Sequence, residues 1–294
     1  MDVLADLVAR HALLVLVGTS GILLLATALL WRIIVAFAPA LWRSAMSAWQ
    51  RLARTRFAAE AKQWPVLRPW LTGTVTVARF LGVFAIVAFV FAACALTLFF
   101  EVADEIGADE SLGQFDSALS AALREHVSHE VLLTFAMISR LGDPQFLIGI
   151  AAVVAGVLLA RRRWMLAGAW IAATIGGGLM NRVLKSVFER TRPAHDHGLA
   201  SETSWSFPSG HASGSLLVYG LLGYLLVRHT PRAWHLPITF VAVTLVVFVG
   251  ASRVLLQVHY LSDVLAGYAS AAAWVALCIA GLETARSRHA TSVR

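Results

Sequence analysis

Apolar residues run in long unbroken stretches along this chain, and the polar ones gather between them. Stretches of membrane-crossing length lie at about 12–38, 78–100, 145–160, 164–187, 211–227, 236–252 and 263–281. A span needs roughly 20 apolar residues, so 145–160 is short and must borrow from its flanks. The pattern predicts seven spans, with six as the smaller count. Pro144 after Gly142 and Asp143 predicts a helix start, with Asp143 capping the free amides. Within 117–141, Leu119, Leu123, Val127, Val131, Phe135 and Ile138 form a helical stripe. That is an amphipathic helix on the outer bilayer surface, or a lid packed on the bundle, with His126 and His129 at the surface.

Composition sharpens the class. The 294 residues are 59% hydrophobic and 14% charged, with mean hydropathy +0.73. A soluble domain is rarely so apolar, so the expected fold is all-α: a polytopic membrane helical bundle with a six-span core and an extra N-terminal span. The expected organisation is a transmembrane anchor at 1–40, a basic cytoplasmic connector at 41–77, a six-helix core at 78–282 and a cytoplasmic tail at 283–294. Asp2 and Asp6 stand where a secretion signal would be basic, and the following apolar run is too long for one, so the first span reads as uncleaved. Cys94 and Cys278 fall within spans without metal-ligand spacing and read as packing residues.

Charge sets the expected orientation. Arg43, Arg51, Arg54, Arg56, Lys62, Arg68 and Arg79 oppose only Glu60 across 41–79. Arg161 to Arg163, then Arg228 with Arg232, then Arg286, Arg288 and Arg294 fall on the same side if there are seven spans. Lysine and arginine favour the cytoplasmic face, so the N-terminus is expected outside and the C-terminus inside. The 101–143 segment, with nine acids against Arg124 and Arg140, has the balance of an exported loop. The net charge of +7 is thus spent on topology and one cluster, and an anionic bilayer accounts for it better than nucleic acid does.

The cluster lies in three segments at helix ends on the outer side: KSVFERTRP at 185–193, PSGH at 208–211 and SRVLLQVHYLSD at 252–263. Lys185 supplies a point charge and Arg192 a planar fork, both suited to phosphate oxygens. Arg182 and Arg190 read instead as arginines snorkelling at the interface. At the next helix start, free amides and a partial positive charge make an anion site, where Gly210 permits close approach of a ligand. Ser209 is equally an ordinary N-cap there, and His211 adds a titratable group. Arg253 ends the sixth span. Asp263 stands one turn from His259, so it can hold one ring nitrogen and leave the other free to attack. The competing structural reading is an ion pair between Arg253 and Asp263.

These three motifs, in this order and spacing, resemble the type 2 phosphatidic acid phosphatase family over roughly 80 residues, with the core extending the likeness to about 78–281. The resemblance implies that His259 attacks phosphorus to give a phosphohistidine, with Asp263 orienting it. It implies that His211 protonates the leaving oxygen and then activates water. Lys185, Arg192 and Arg253 would hold the phosphoryl oxygens, helped by Ser209 and the Gly210 amide. Fixed cations compensate the charge of the transferred group and would repel a metal ion, so neither metal nor cofactor is expected.

An outward site at the membrane edge suits a lipid phosphate, its head in water and its tail in the bilayer. The bacterial candidates are undecaprenyl diphosphate, phosphatidic acid and phosphatidylglycerol phosphate, with the enzyme in the inner (plasma) membrane. The same intermediate would also serve a phosphotransferase that passes phosphate to a second lipid. A non-catalytic lipid transporter would lack a site residue, and here none is missing. Soluble vanadium haloperoxidases share the pocket type, but seven apolar spans argue against them.

Overall fold

The computed structural model describes residues 2–52, 76–107, 109–194, 197–200 and 202–292. Among these, all regular structure is helical. The helices are α1 (Asp2–Arg10), α2 (Ala12–Leu52), α3 (Thr76–Asp104), α4 (Ser111–His126), α5 (His129–Ser139), α6 (Pro144–Ala160), α7 (Trp164–Phe188), α8 (Gly210–His229), α9 (His235–Leu255) and α10 (Leu261–Ser292). The first span continues as helix to Leu52, and most of the expected basic connector, 53–75, lies outside the described residues.

Among the described residues, six segments are long and apolar enough to cross a membrane. One is the composite His129–Ala160, in which α5 and α6 follow each other through a turn at Arg140–Gly142. The remaining expected span, the fourth at 164–187, is α7, which has the length at 25 residues. Its apolar character is diluted by Gly176 to Gly178, Asn181, Arg182 and Lys185, so it is not among the six.

Helix α8 is the centre. It packs on α9 and α10, while α7 fills the space between α6, α8 and α10, and α3 lies along α10. Leu147, Leu166, Trp170, Ala173, Leu217, Val218 and Leu221 form the main buried cluster. Indole N–H groups tie the spans: Trp170 donates to the Ala151 carbonyl and Trp274 to that of Ala173, both at 2.9 Å. In hydrocarbon such bonds fix helix against helix, because water cannot replace them. Ile86, Phe89, Ile148 and Val153 are exposed, as lipid-facing side chains should be.

The expected single amphipathic helix at 117–141 is instead two. The chain breaks at Val127 and Ser128, and α5 begins on Ser128 as its N-cap residue. Helix α4 packs on α1 and α5 on α9, burying Leu119, Leu123 and Phe135 with Ala5, Ala9 and Leu255. This is a cover packed on the bundle. His129 is exposed, but His126 is half-buried and bonds Asp6 of α1 at 2.8 Å, which corrects its expected surface position. That bond, with Arg10, draws the Asp6 carboxyl below its usual value.

Two contacts place the functional segments. The Ser209 amide donates to the Asp263 carbonyl at 2.9 Å, joining the starts of α8 and α10. One turn further on, a Cβ on Gly267 would lie 2.8 Å from the Ser209 carbonyl oxygen. Backbone cannot give way as a side-chain tip can, so the glycine is what lets α10 touch the start of α8. Gly267→Ala is expected to cost about 1–3 kcal/mol of overpacking. Thermal unfolding in detergent measures it, and an unchanged midpoint would refute the contact.

Candidate active site

Helix α7 ends on Glu189, a non-glycine residue in the left-handed region at φ 43°. This turn folds Arg190 and Arg192 back over the helix ends. Helix α9 ends likewise: Gln257 sits at φ 52°, and the amides of Val258 and His259 both reach the Arg253 carbonyl at 3.2 Å. Two costly backbone conformations thus hold the first and third motifs in place.

The nucleophile candidate is 2% exposed. Arg192 Nη1 stands 3.0 Å from His259 Nε2, and the Asp263 carboxylate 3.3 Å from Nδ1. An arginine has no acceptor, so Nε2 must carry the lone pair and Nδ1 the hydrogen. The tautomer is therefore set with the lone pair of Nε2 toward Arg192. Asp263 Oδ2 also accepts from the Ser206 hydroxyl and the Tyr260 amide, the latter at 2.9 Å.

Burial drives the His259 imidazole down to about 3; the Asp263 hydrogen bond opposes this, while Arg192 and Arg253 add to it. A depressed value keeps the ring neutral, hence nucleophilic, as the pH falls through the ordinary imidazole range. We expect no acid limb from His259 in kcat/KM between about pH 5 and 7. Profiles of the wild type and of His211→Asn test this: an imidazole-like acid limb common to both would contradict it.

A cavity of about 1050 Å³ opens beside these groups. Lys185, Arg192, Gly210, His211 and His259 line its polar end, whereas Leu147, Ile148, Ile175, Leu217 and Val218 line the rest. Lys185 Nζ donates to the Trp205 carbonyl and, at 3.4 Å, to that of Ser206. Arg192 also donates to the carbonyls of Ser204 and Val258, at 2.8 and 2.6 Å. Burial lowers the Arg192 value, and Glu202 and Asp263 oppose that.

Three expected residues stand behind the wall. Ser209 is buried, and its hydroxyl accepts the Ala212 amide at 3.5 Å, the N-cap alternative. Asp263 backs His259. Arg253 is 3% exposed and bonds Ser139 Oγ at 2.7 Å and Glu202, so the competing structural pair with Asp263 does not form. Its Nε is buried without a partner among the described residues.

Sequence reasoning passed over Glu202 and Asp116 and gave Asp143 and Arg190 other roles. Glu202 approaches His211 Nδ1 at 3.7 Å and Arg192 at 4.0 Å, besides Arg253. Asp143 makes no side-chain cap to α6; its carboxylate bonds His211 Nε2 at 2.9 Å instead, a correction to its expected role. Arg190 does not snorkel as expected: it bridges Asp263 at 2.7 Å and Asp116 at 2.9 Å, with its side chain 11% exposed, while Arg182 does stay exposed. Asp116 was legible in principle, because it precedes Leu119 and Leu123 by three and seven residues and so shares their buried face.

Bundle and site together define a membrane-embedded enzyme built to handle a phosphate group beside an apolar trough. The sequence pattern of the PAP2 superfamily matches residues 164–287. A phosphatidylglycerophosphatase B of Bacillus subtilis (strain 168) is 36% identical over 160 residues, covering 52% of this chain and 76% of that protein. A lipid A 1-phosphatase of Rhizobium etli is 32% identical over 112 residues, covering 35% of this chain and 44% of that one. The crystal structure of a transmembrane PAP2 type phosphatidylglycerolphosphate phosphatase from Bacillus subtilis superposes with TM-score 0.58 and 29% identity, covering 67% of this chain and 96% of that one. The chain belongs to the PAP2 superfamily and is a hydrolase of phosphatase type.

Proposed function

We propose that this protein hydrolyses a lipid phosphate at the outer face of the bacterial inner membrane, through a phosphohistidine on His259 and without a metal. The observation that carries this is the set tautomer of His259 at the polar end of a cavity whose remainder is apolar. A phosphate head fits among Lys185, Arg192 and His211, and an acyl or prenyl tail fits along Leu147, Ile175 and Leu217.

In the first step the phosphoryl oxygens draw Arg192 away from Nε2, freeing the lone pair. Nε2 bonds to phosphorus as the bond to the leaving oxygen breaks, and His211 gives that oxygen a proton. Lys185, Arg192 and the Gly210 amide take up the charge, with Arg253 adding its field from behind the wall. Ser209 contributes by capping the helix that presents that amide. In the second step water attacks phosphorus, His211 accepts its proton, and Nε2 leaves with its electron pair. Asp143 and Glu202 flank the His211 ring and hold its orientation. Lysine and arginine bias supports an outward site, with the N-terminus outside and the C-terminus cytoplasmic.

The name of the Bacillus relative makes phosphatidylglycerol phosphate the first substrate to try. Phosphate release from it, from phosphatidic acid and from undecaprenyl diphosphate should proceed unchanged with EDTA present. Silence on all three lipids, or loss of activity on chelation, would sink the proposal.

A further inference from the structure

The two oxygens of Asp263 face different ways. Oδ2 serves Tyr260, Ser206 and His259, while Oδ1 receives Arg190 Nη1 at 2.7 Å. Arg190 is held from its far side by Asp116, Nη2 to Oδ2 at 2.9 Å, and its Cζ lies 4.2 Å from the centroid of the Tyr260 ring. Ser262 closes the ring of contacts: it accepts from Arg190 Nη1 at 2.7 Å and donates to Asp116 through both hydroxyl and amide. Neither carboxylate is exposed. Asp116 belongs to α4, outside the 164–287 region that carries the superfamily pattern.

Charge explains why two acids meet one base here. When Nε2 bonds to phosphorus the imidazole keeps its Nδ1–H and gains positive charge, which Asp263 stabilises. A lone arginine on Oδ1 would fix the carboxylate but cancel its field. Asp116 offsets that arginine, so the trio presents to His259 the same net charge as Asp263 alone. A buried Asp116 without Arg190 would be an uncompensated charge. Burial raises the Asp116 carboxyl value, and bonds from Ser262 and Arg190 oppose the rise.

We propose that Arg190 and Asp116 are positioning residues for phosphoryl transfer, orienting Asp263 toward His259 while preserving its negative field. This rests on His259 being the nucleophile, as argued above. Helix α4 therefore completes the site as well as covering the bundle.

The test uses the full chain in detergent micelles with phosphatidylglycerol phosphate, phosphatidic acid and undecaprenyl diphosphate as probes. Asp116→Asn is expected to lower kcat about 10- to 100-fold. KM should stay within about twofold, because Lys185, Arg192 and Gly210 are untouched. The double variant with Asp263→Asn should be no slower than Asp263→Asn alone, since the two act as one unit. Leu123→Ala, which loosens the same helix away from the ring, should show no such kcat loss. Arg190→Lys keeps the charge but reaches one carboxylate, and it should repeat the kcat loss at unchanged KM if Asp116→Asn fails to fold. Wild-type turnover in Asp116→Asn or Arg190→Lys overturns the proposal, as do losses that multiply in the double variant or are matched by Leu123→Ala. An inactive wild type on all three probes would instead strike the phosphatase reading itself.

Discussion

Substitution of His259 by glutamine is expected to abolish phosphate release, by about 10⁵-fold or more, because it removes Nε2, the atom proposed to bond to phosphorus. The choice of glutamine matters. At 2% exposure the site will not take a new charge, and alanine would leave Arg192 and Asp263 facing a void. A glutamine carbonyl can accept from Arg192, and its amide can point to Asp263, so the pocket stays filled. The expected result is a protein with a near-normal unfolding midpoint and no turnover on any of the three lipids. Retention of more than about one per cent of the wild-type rate would remove His259 from the chemistry, since background catalysis by positioning alone is far smaller than that.

Asp263→Asn should be the next most severe, at about 10³- to 10⁴-fold in kcat, comparable to the tautomer error known in serine proteases. The change is small in shape and large in donors. Arg190 demands an acceptor at the Oδ1 position, so the carbonyl must stay there and the amide nitrogen must take the Oδ2 place. That nitrogen then meets the Tyr260 amide and His259 Nδ1–H, donor against donor. His259 escapes only by moving its hydrogen to Nε2, which both blocks the attacking lone pair and opposes Arg192. Turnover should collapse while KM changes little, because Lys185 and Arg192, the proposed phosphate ligands, are intact. A large rise in KM with kcat preserved would show that Asp263 shapes the binding site instead.

Much of this was legible in the chain. Span lengths follow from bilayer thickness, and the break between α6 and α7 at Arg161 to Arg163 is visible as charge. The spacing from His259 to Asp263 placed the two side chains on adjacent turns, and the structure brings them within 3.3 Å. What escaped reading depends on backbone turns that no residue type announces. Glu189 and Gln257 adopt a left-handed conformation that glycine would have advertised, so the inward swing of Arg190 was hidden and it resembled an interfacial arginine. Asp143 has the residue type and position of a helix cap, yet His211 arrives from 68 residues away to take its carboxylate. Tertiary partners of this kind outbid a local preference without changing the helix start. The break at Val127 was masked because Val127 and Val131 continue the apolar stripe straight across it.

The cavity has a consequence for how the reaction is met. Its apolar length runs between the central α8 and the helices α6 and α7, which elsewhere expose apolar side chains, so the tail of the proposed lipid substrate need not leave the bilayer for its head to reach His259. Encounter is then a search in two dimensions, and what governs speed is the mole fraction of substrate among its neighbours in one leaflet. Diluting the substrate with inert lipid at fixed bulk amount should slow the enzyme as effectively as removing it.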